Sequence, residues 1–194
     1  MSYSQFTLPK VVQDFGLTLV EGDSFLPPTK GVLPSPYLEE YVTKNLQLAI
    51  ALNTEKARSE LIICPLLLAV KEALPNIGFF SGEEFNVDIS LGLNGICDYI
   101  LSQSIEQLYV TAPVAMIVEA KKEDLKGGLG QCIAEMVAAW KFNHEQQNMI
   151  NTIYGVVTTG TVWRFLRLKE TTVTIDLNEY SLPPIPTVYT QVEN

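Results

Sequence analysis

Val114-Ala-Met-Ile-Val-Glu-Ala-Lys-Lys122 is the stretch from which the rest of the chain can be read. An apolar run of this length predicts a strand buried on both faces. It closes on Glu119-Ala120-Lys121, and alternation along a strand puts Glu119 and Lys121 on one face. A carboxylate and an ammonium at the mouth of a buried strand are costly unless paired or bound to something. Upstream, Gly95-Ile-Cys-Asp-Tyr-Ile-Leu101 predicts a second strand with Asp98 in its middle. Two carboxylates on neighbouring strands suit a hard cation, which takes oxygen ligands.

Working outward, Gly127-Gly128 is expected to open a helix from Leu129 to about His144. Asn151 to Val157 predicts a further strand, so strand–helix–strand forms a parallel, right-handed crossover. Val162 to Leu168 and Thr172 to Leu177 read as two more strands. Upstream, Ser35-Pro36 is expected to cap and start a helix with apolar residues at 38, 41, 42, 46, 49 and 50. Thr54 caps a second helix running to about Leu74, and Pro65 should kink or break it near Leu61. Phe85, Val87, Ile89 and Leu91 alternate with polar residues and predict a half-buried strand. Residues 1–34 hold Pro9, Pro27-Pro28 and Gly31 and read as an N-terminal arm with one short strand over Phe15–Val20. The tail from Leu182 is expected to wrap the surface.

The 194 residues fit one domain, with 47% hydrophobic and 18% charged residues, a composition that makes a packed core and excludes disorder. No apolar run reaches a membrane span, and Met1-Ser-Tyr-Ser-Gln lacks a basic region leading into an apolar stretch. Cys64, Cys97 and Cys132 show no CxxC spacing and predict reduced thiols in a cytoplasmic protein. The one histidine, His144, cannot supply a histidine cluster. Gly127-Gly-Leu-Gly130 lacks the spacing of a nucleotide-binding loop. The net charge of −9 opposes non-specific grip on duplex DNA, which needs a basic face. A local basic strip, a partner protein, or a substrate other than long duplex would reconcile the two. Lys121-Lys122 with Lys126 is one small basic cluster. Trp163 with Arg164 and Arg167 is either a stacking surface or, for the tryptophan, core.

The order Arg58-Ser-Glu60 on a helix, Gly95-Ile-Cys-Asp98, Val118-Glu-Ala-Lys121 and Gly130-Gln-Cys-Ile-Ala-Glu135 resembles the PD-(D/E)XK nuclease superfamily over roughly Ala57 to Leu168. The resemblance implies an α/β, restriction-endonuclease-like fold: a mixed central β-sheet flanked by helices. It further implies Mg²⁺, with Mn²⁺ as substitute, held by Asp98, Glu119 and the Ala120 carbonyl, with Glu60 as an assisting acid. Lys121 is implied to act on the attacking water, and Gln131 to stand near Lys121 or the DNA backbone. Two departures stand out: Cys97 occupies the place of the family proline, and Glu135 stands where some relatives carry tyrosine. Gln131 and Glu135, one turn apart, share a face that is directed either at the site or at solvent. The implied function is Mg²⁺-dependent hydrolysis of DNA phosphodiester bonds, with DNA bound directly or through a partner protein, as monomer or homodimer. The alternatives are a non-catalytic binding or structural member of the fold, and a small-molecule or nucleotide hydrolase using the same carboxylates.

Overall fold

The strand that carries Glu119 lies inside an eight-stranded mixed sheet of the described residues, with helices on both faces. The computed structural model describes residues 1–22, 24–26, 34–148 and 150–182. In chain order its main elements are α1 (Leu8–Asp14), β1 (Thr18–Gly22), α2 (Pro36–Leu52), α3 (Glu55–Arg58), α4 (Cys64–Ala73), β2 (Gly78–Glu84), β3 (Ile96–Ser102), β4 (Val114–Ala120), α5 (Leu125–Glu145), β5 (Ile153–Thr158), β6 (Val162–Lys169), β7 (Thr172–Asp176) and β8 (Tyr180–Ser181). The sheet order is β1-β7-β6-β5-β4-β3-β2, with β8 also pairing β6. β2, β3 and β4 form an antiparallel meander, and α5 then carries the chain to β5, parallel to β4. The parallel pairing is the one expected of a crossover.

Two cores sandwich the sheet. On one face α5 and α1 cover Ile100, Ile117, Val157 and Leu166; on the other α2 and α4 cover Tyr99, Val118, Val156 and Trp163. Trp163 is therefore core, and its Nε1 donates to the Gly160 carbonyl at 3.0 Å. Ser35 and Thr54 cap as expected, accepting from the Leu38 and Ala57 amides. Pro65 has its foreseen effect in a particular form. Between α3 and α4 the chain takes a π turn over Ser59–Ile63, which absorbs the missing proline N–H. Among the described residues no helix is long and apolar enough to cross a membrane.

Several expectations are corrected. The strand foreseen over 85–91 lies earlier, at Gly78–Glu84. Asp88 accepts from the Ser90 and Leu91 amides and starts a 3-10 turn over Ile89–Leu91, leaving Ile89 and Leu91 exposed. The glycines 127 and 128 do not open the helix; Asp124 caps it and they lie within its first turns. The N-terminal segment contributes more than one short strand. Pro9 sits in the first turn of α1, β1 pairs in parallel with β7, and Tyr3, Phe6 and Val11 are buried. Residues 27–33 of that segment, and 183–194 of the tail expected to wrap the surface, lie outside the described residues.

Gly130 shows how tightly this segment is held. A Cβ there would stand 2.5 Å from the Thr7 carbonyl carbon and 2.7 Å from the Leu8 nitrogen, both backbone atoms. Gly130→Ala should therefore lower stability by about 1–3 kcal/mol through overpacking, although alanine favours a helix by about 1 kcal/mol. Urea denaturation measures it. An unchanged or raised midpoint would mean that the N-terminal segment does not press on α5.

Candidate active site

The β3–β4 ladder runs from Ser102↔Val114 to Tyr99↔Val118. Beyond it the Ala120 amide bonds not to backbone but to Asp98 Oδ2, at 2.8 Å. Simple alternation fails at this point: Cys97 and Ile100 join the core under α5, while Tyr99 and Leu101 face the other side. The irregularity turns the Asp98 side chain across the end of β4. Glu119, two residues after Ile117, extends beneath α5 and is 1% exposed. The Asp98 carboxylate is near enough for its charge to act on Glu119.

Lys121 and α5 complete the cluster. The Lys121 ammonium pairs with Glu119 Oε1 and lies 3.3 Å from Gln131 Oε1. Gln131 Nε2 in turn donates to Glu135 Oε1 at 3.1 Å. Gly128 lets the lysine stem pass under the helix, since a Cβ there would stand 3.0 Å from Lys121 Cγ and 2.7 Å from Val157 Cγ1. Gln131 and Glu135 thus face the site, and Glu135 is fully buried.

Burial governs the charges. Desolvation first, then the neighbouring Asp98 charge, push the Glu119 carboxyl up to about 8, against the opposing pull of Lys121. Desolvation also raises Asp98, against the Ala120 amide bond and Lys121. Glu135 lies well above the carboxylate range, through burial and then the Glu119 charge, with Gln131 opposing. Burial acts to lower the Lys121 pKa, but the Glu119 charge and hydrogen bond outweigh it, and the net shift is upward. Glu119 Oε2 and Glu135 Oε2 are buried without a hydrogen-bond partner.

The mouth of the site is a cleft of about 380 Å³ bordered by Glu55, Ser59, Glu60, Asp98 and Ala120. Glu60 stands on its wall, yet its carboxylate is 60% exposed and pairs with Lys56 at 2.8 Å. Glu55, one turn earlier, is the helix acid whose charge reaches both Glu119 and Lys121. Glu55 follows the capping Thr54, where an acid is explained by the helix dipole alone, so its position in the sequence carries no signal of a site. The sequence alone leaves Glu135 undecided between site and solvent. Its signal was the company it keeps: an i, i+4 glutamine and the buried Cys132, Ala138 and Ala139 on the same helix.

Among the described residues no three His, Cys, Asp or Glu side chains form a metal-holding group by themselves. A cation here would rest on two carboxylates and backbone oxygen. That donor set is hard, and Glu119 Oε2 is buried without a partner, so the residues fit Mg²⁺. Compared with known proteins, the chain matches no family model, no curated protein and no solved structure, so the site is read on its own chemistry.

The raised carboxyl has a sign that can be measured. With chelator present, the folded protein keeps a proton on Glu119 between pH about 4.5 and about 8, while the unfolded chain releases it. The folded state then binds more protons, so stability should fall as pH rises through that window. Glu119→Gln removes the titrating group and should flatten the slope. Thermal melts of both proteins across pH provide the check, and equal slopes would place the shifted group elsewhere.

Proposed function

We propose that the protein is a divalent-cation-dependent nuclease, hydrolysing DNA phosphodiester bonds on a restriction-endonuclease-like core. The observation that carries this reading is the meeting, at the end of one strand pair, of two carboxylates: the buried Glu119, paired with Lys121, and the half-buried Asp98, bonded to the Ala120 amide. The chain order of helix, three-stranded meander, crossover helix and parallel strand supports the same reading.

Asp98, Glu119 and the Ala120 carbonyl would hold Mg²⁺, or Mn²⁺ in its place, and Glu60 and Glu55 border the same cleft. Such a cation supplies Lewis acidity: it acidifies water and offsets charge on the phosphate. The protein groups do the rest. The upward shift keeps Lys121 an ammonium, so its part is to orient the attacking water and donate to the phosphate rather than to begin as a free base. Gln131 fixes where that ammonium points, because its amide nitrogen is spent on Glu135 and only its oxygen faces Lys121. Asp98 holds the Ala120 amide, which sets the end of β4 and so the position of both Glu119 and Lys121.

A non-catalytic scaffold is the second reading, and the net charge of −9 favours it. Melts with and without millimolar Mg²⁺ separate the two. Mg²⁺ binds the folded site and not the unfolded chain, so it should raise the wild-type midpoint, by about 2.7 kcal/mol of stability at a hundredfold excess over Kd. Asp98→Asn should blunt the rise. An equal response in both proteins places the ion elsewhere on the acidic surface and removes the proposed site.

Cleavage is the second measurement. Lys121→Ala should abolish Mg²⁺-dependent nicking of plasmid DNA; it also strips Glu119 of its ion pair and should lower the melting temperature, so nicking is compared well below both midpoints. Equal nicking by wild type and variant assigns the activity to a contaminant.

A further inference from the structure

Beside the acidic cleft lies a second hollow, of about 450 Å³ and opposite character, bordered by Arg58, Lys122, Lys126 and Arg164. Three acids share its rim, and each is engaged. Asp124 Oδ1 accepts from the Gly127 amide at 2.9 Å, capping α5. Glu179 holds Arg164 Nη2 at 2.7 Å. Glu123 accepts from Asn53 Nδ2 at 2.8 Å and stands 3.9 Å from Lys122. Lys122 and Lys126 are exposed, and Lys126 makes no ion pair among the described residues.

Arg58 is the built element of this hollow. It is only 8% exposed, and its guanidinium is anchored on the Thr159 carbonyl at 3.0 Å, with Thr161 Oγ1 and Asn53 Oδ1 each at 3.4 Å. All three partners are neutral. The Nε of Arg58 and that of Arg164 are buried without an acceptor. The Glu123 charge reaches Arg58, but no carboxylate contacts it, and a guanidinium this deep is better satisfied when an anion joins it directly. Arg suits phosphate, which accepts its fork of parallel donors. The start of α5, at Leu125 and Lys126, also borders the hollow and adds the positive end of a long helix.

The two hollows share their walls. α3 gives Glu55 and Lys56 to the acidic cleft and Arg58 to the basic one. The end of β4 gives Ala120 to the first, and Lys122 just beyond it belongs to the second. We propose that the basic hollow is a phosphate subsite for a nucleic-acid backbone, in which Arg58, Lys122 and Lys126 hold one phosphate while a neighbouring phosphodiester of the same strand lies at Asp98 and Glu119. The proposal rests on the nuclease reading and adds to it where an acidic protein grips a polyanion.

The test is fluorescence anisotropy of a labelled duplex oligonucleotide titrated with protein in EDTA, at several salt concentrations, so that binding is read apart from cleavage. The Lys122→Glu/Lys126→Glu double variant should bind about tenfold or more weakly and reduce the slope of log K against log salt by about one. Both lysines are exposed, so its melting temperature should match wild type. Arg58→Lys keeps the charge and loses the fork, and should also weaken binding. Equal affinity and slope in wild type and double variant overturn the subsite, as does a wild type that does not bind the duplex. Calorimetry with inorganic phosphate forms the other arm: phosphate bound while the duplex is not would make this a site for a small free anion and overturn the proposal. Cleavage with Mg²⁺ separates the two readings. Lysine-dependent binding without cleavage keeps the subsite and removes the nuclease, whereas cleavage with lysine-independent binding does the reverse.

Discussion

A buried carboxylate, Glu119, with a half-buried one, Asp98, beside it is the constraint around which this end of the sheet is organised. Glu119 gains nothing from burial, and Asp98 beside it makes matters worse. What keeps the pair tolerable is a set of partners drawn from different elements: the Ala120 amide for Asp98, Lys121 for one Glu119 oxygen, and Gln131 to steady Lys121. The other Glu119 oxygen is left without a partner. The same electrostatics that make the metal-free site unfavourable make it a receptor for a cation. Part of the cost falls on α5, which must pass close enough to β4 and β5 for Gln131 to reach the lysine, and Gly128 permits that approach.

The strand ends were legible because their signal is local. A long apolar run ending in Glu-x-Lys can only be a buried strand with its charges at the mouth, and β4 is that strand. The caps at Ser35 and Thr54 were legible for the same reason, each being a single side chain bonding an amide three residues on. Pro65 announced a disturbance, though not its form. Structure and sequence pattern part where a local signal has two readings. Pro9 fits a turn as well as a first helical turn, and tertiary packing of Val11 on α5 decided for the helix. Phe85 to Leu91 alternate properly, but Asp88 offers its carboxylate to its own downstream amides, and that bond defeats the strand. Gly127 and Gly128 look like a helix start and are helix interior, because the cap lies three residues before the first of them.

The site was legible only as a set. Asp98, Glu119, Lys121 and Gln131 lie on three elements and meet through the sheet register and the crossover, neither of which periodicity reveals. Glu60 illustrates the limit: its place on the helix was right, yet an i, i+4 lysine draws its carboxylate aside. Glu135 shows the converse. An acid on an otherwise helical pattern reads as solvated, and only the depth at which α5 packs shows that it is buried beside Glu119.

Net charge averages over an arrangement that α3 separates. With about 100° of turn per residue, Lys56 lies about 100° to one side of Glu55, and Arg58 about 60° to the other. The short helix is therefore a ridge, with Glu55 and Lys56 facing the acidic cleft and Arg58 the basic hollow. The π turn that follows brings Ser59 and Glu60 to the acidic side before α4 resumes. A proline seven residues downstream of Arg58 is thus tied to the charge pattern: without an N–H to continue the ladder, Pro65 demands the wider turn, and the wider turn sets where the ridge stands between the two hollows. An overall charge of −9 is compatible with a local grip on phosphate because the opposing charges are sorted by the angle of one helical turn, not by their number.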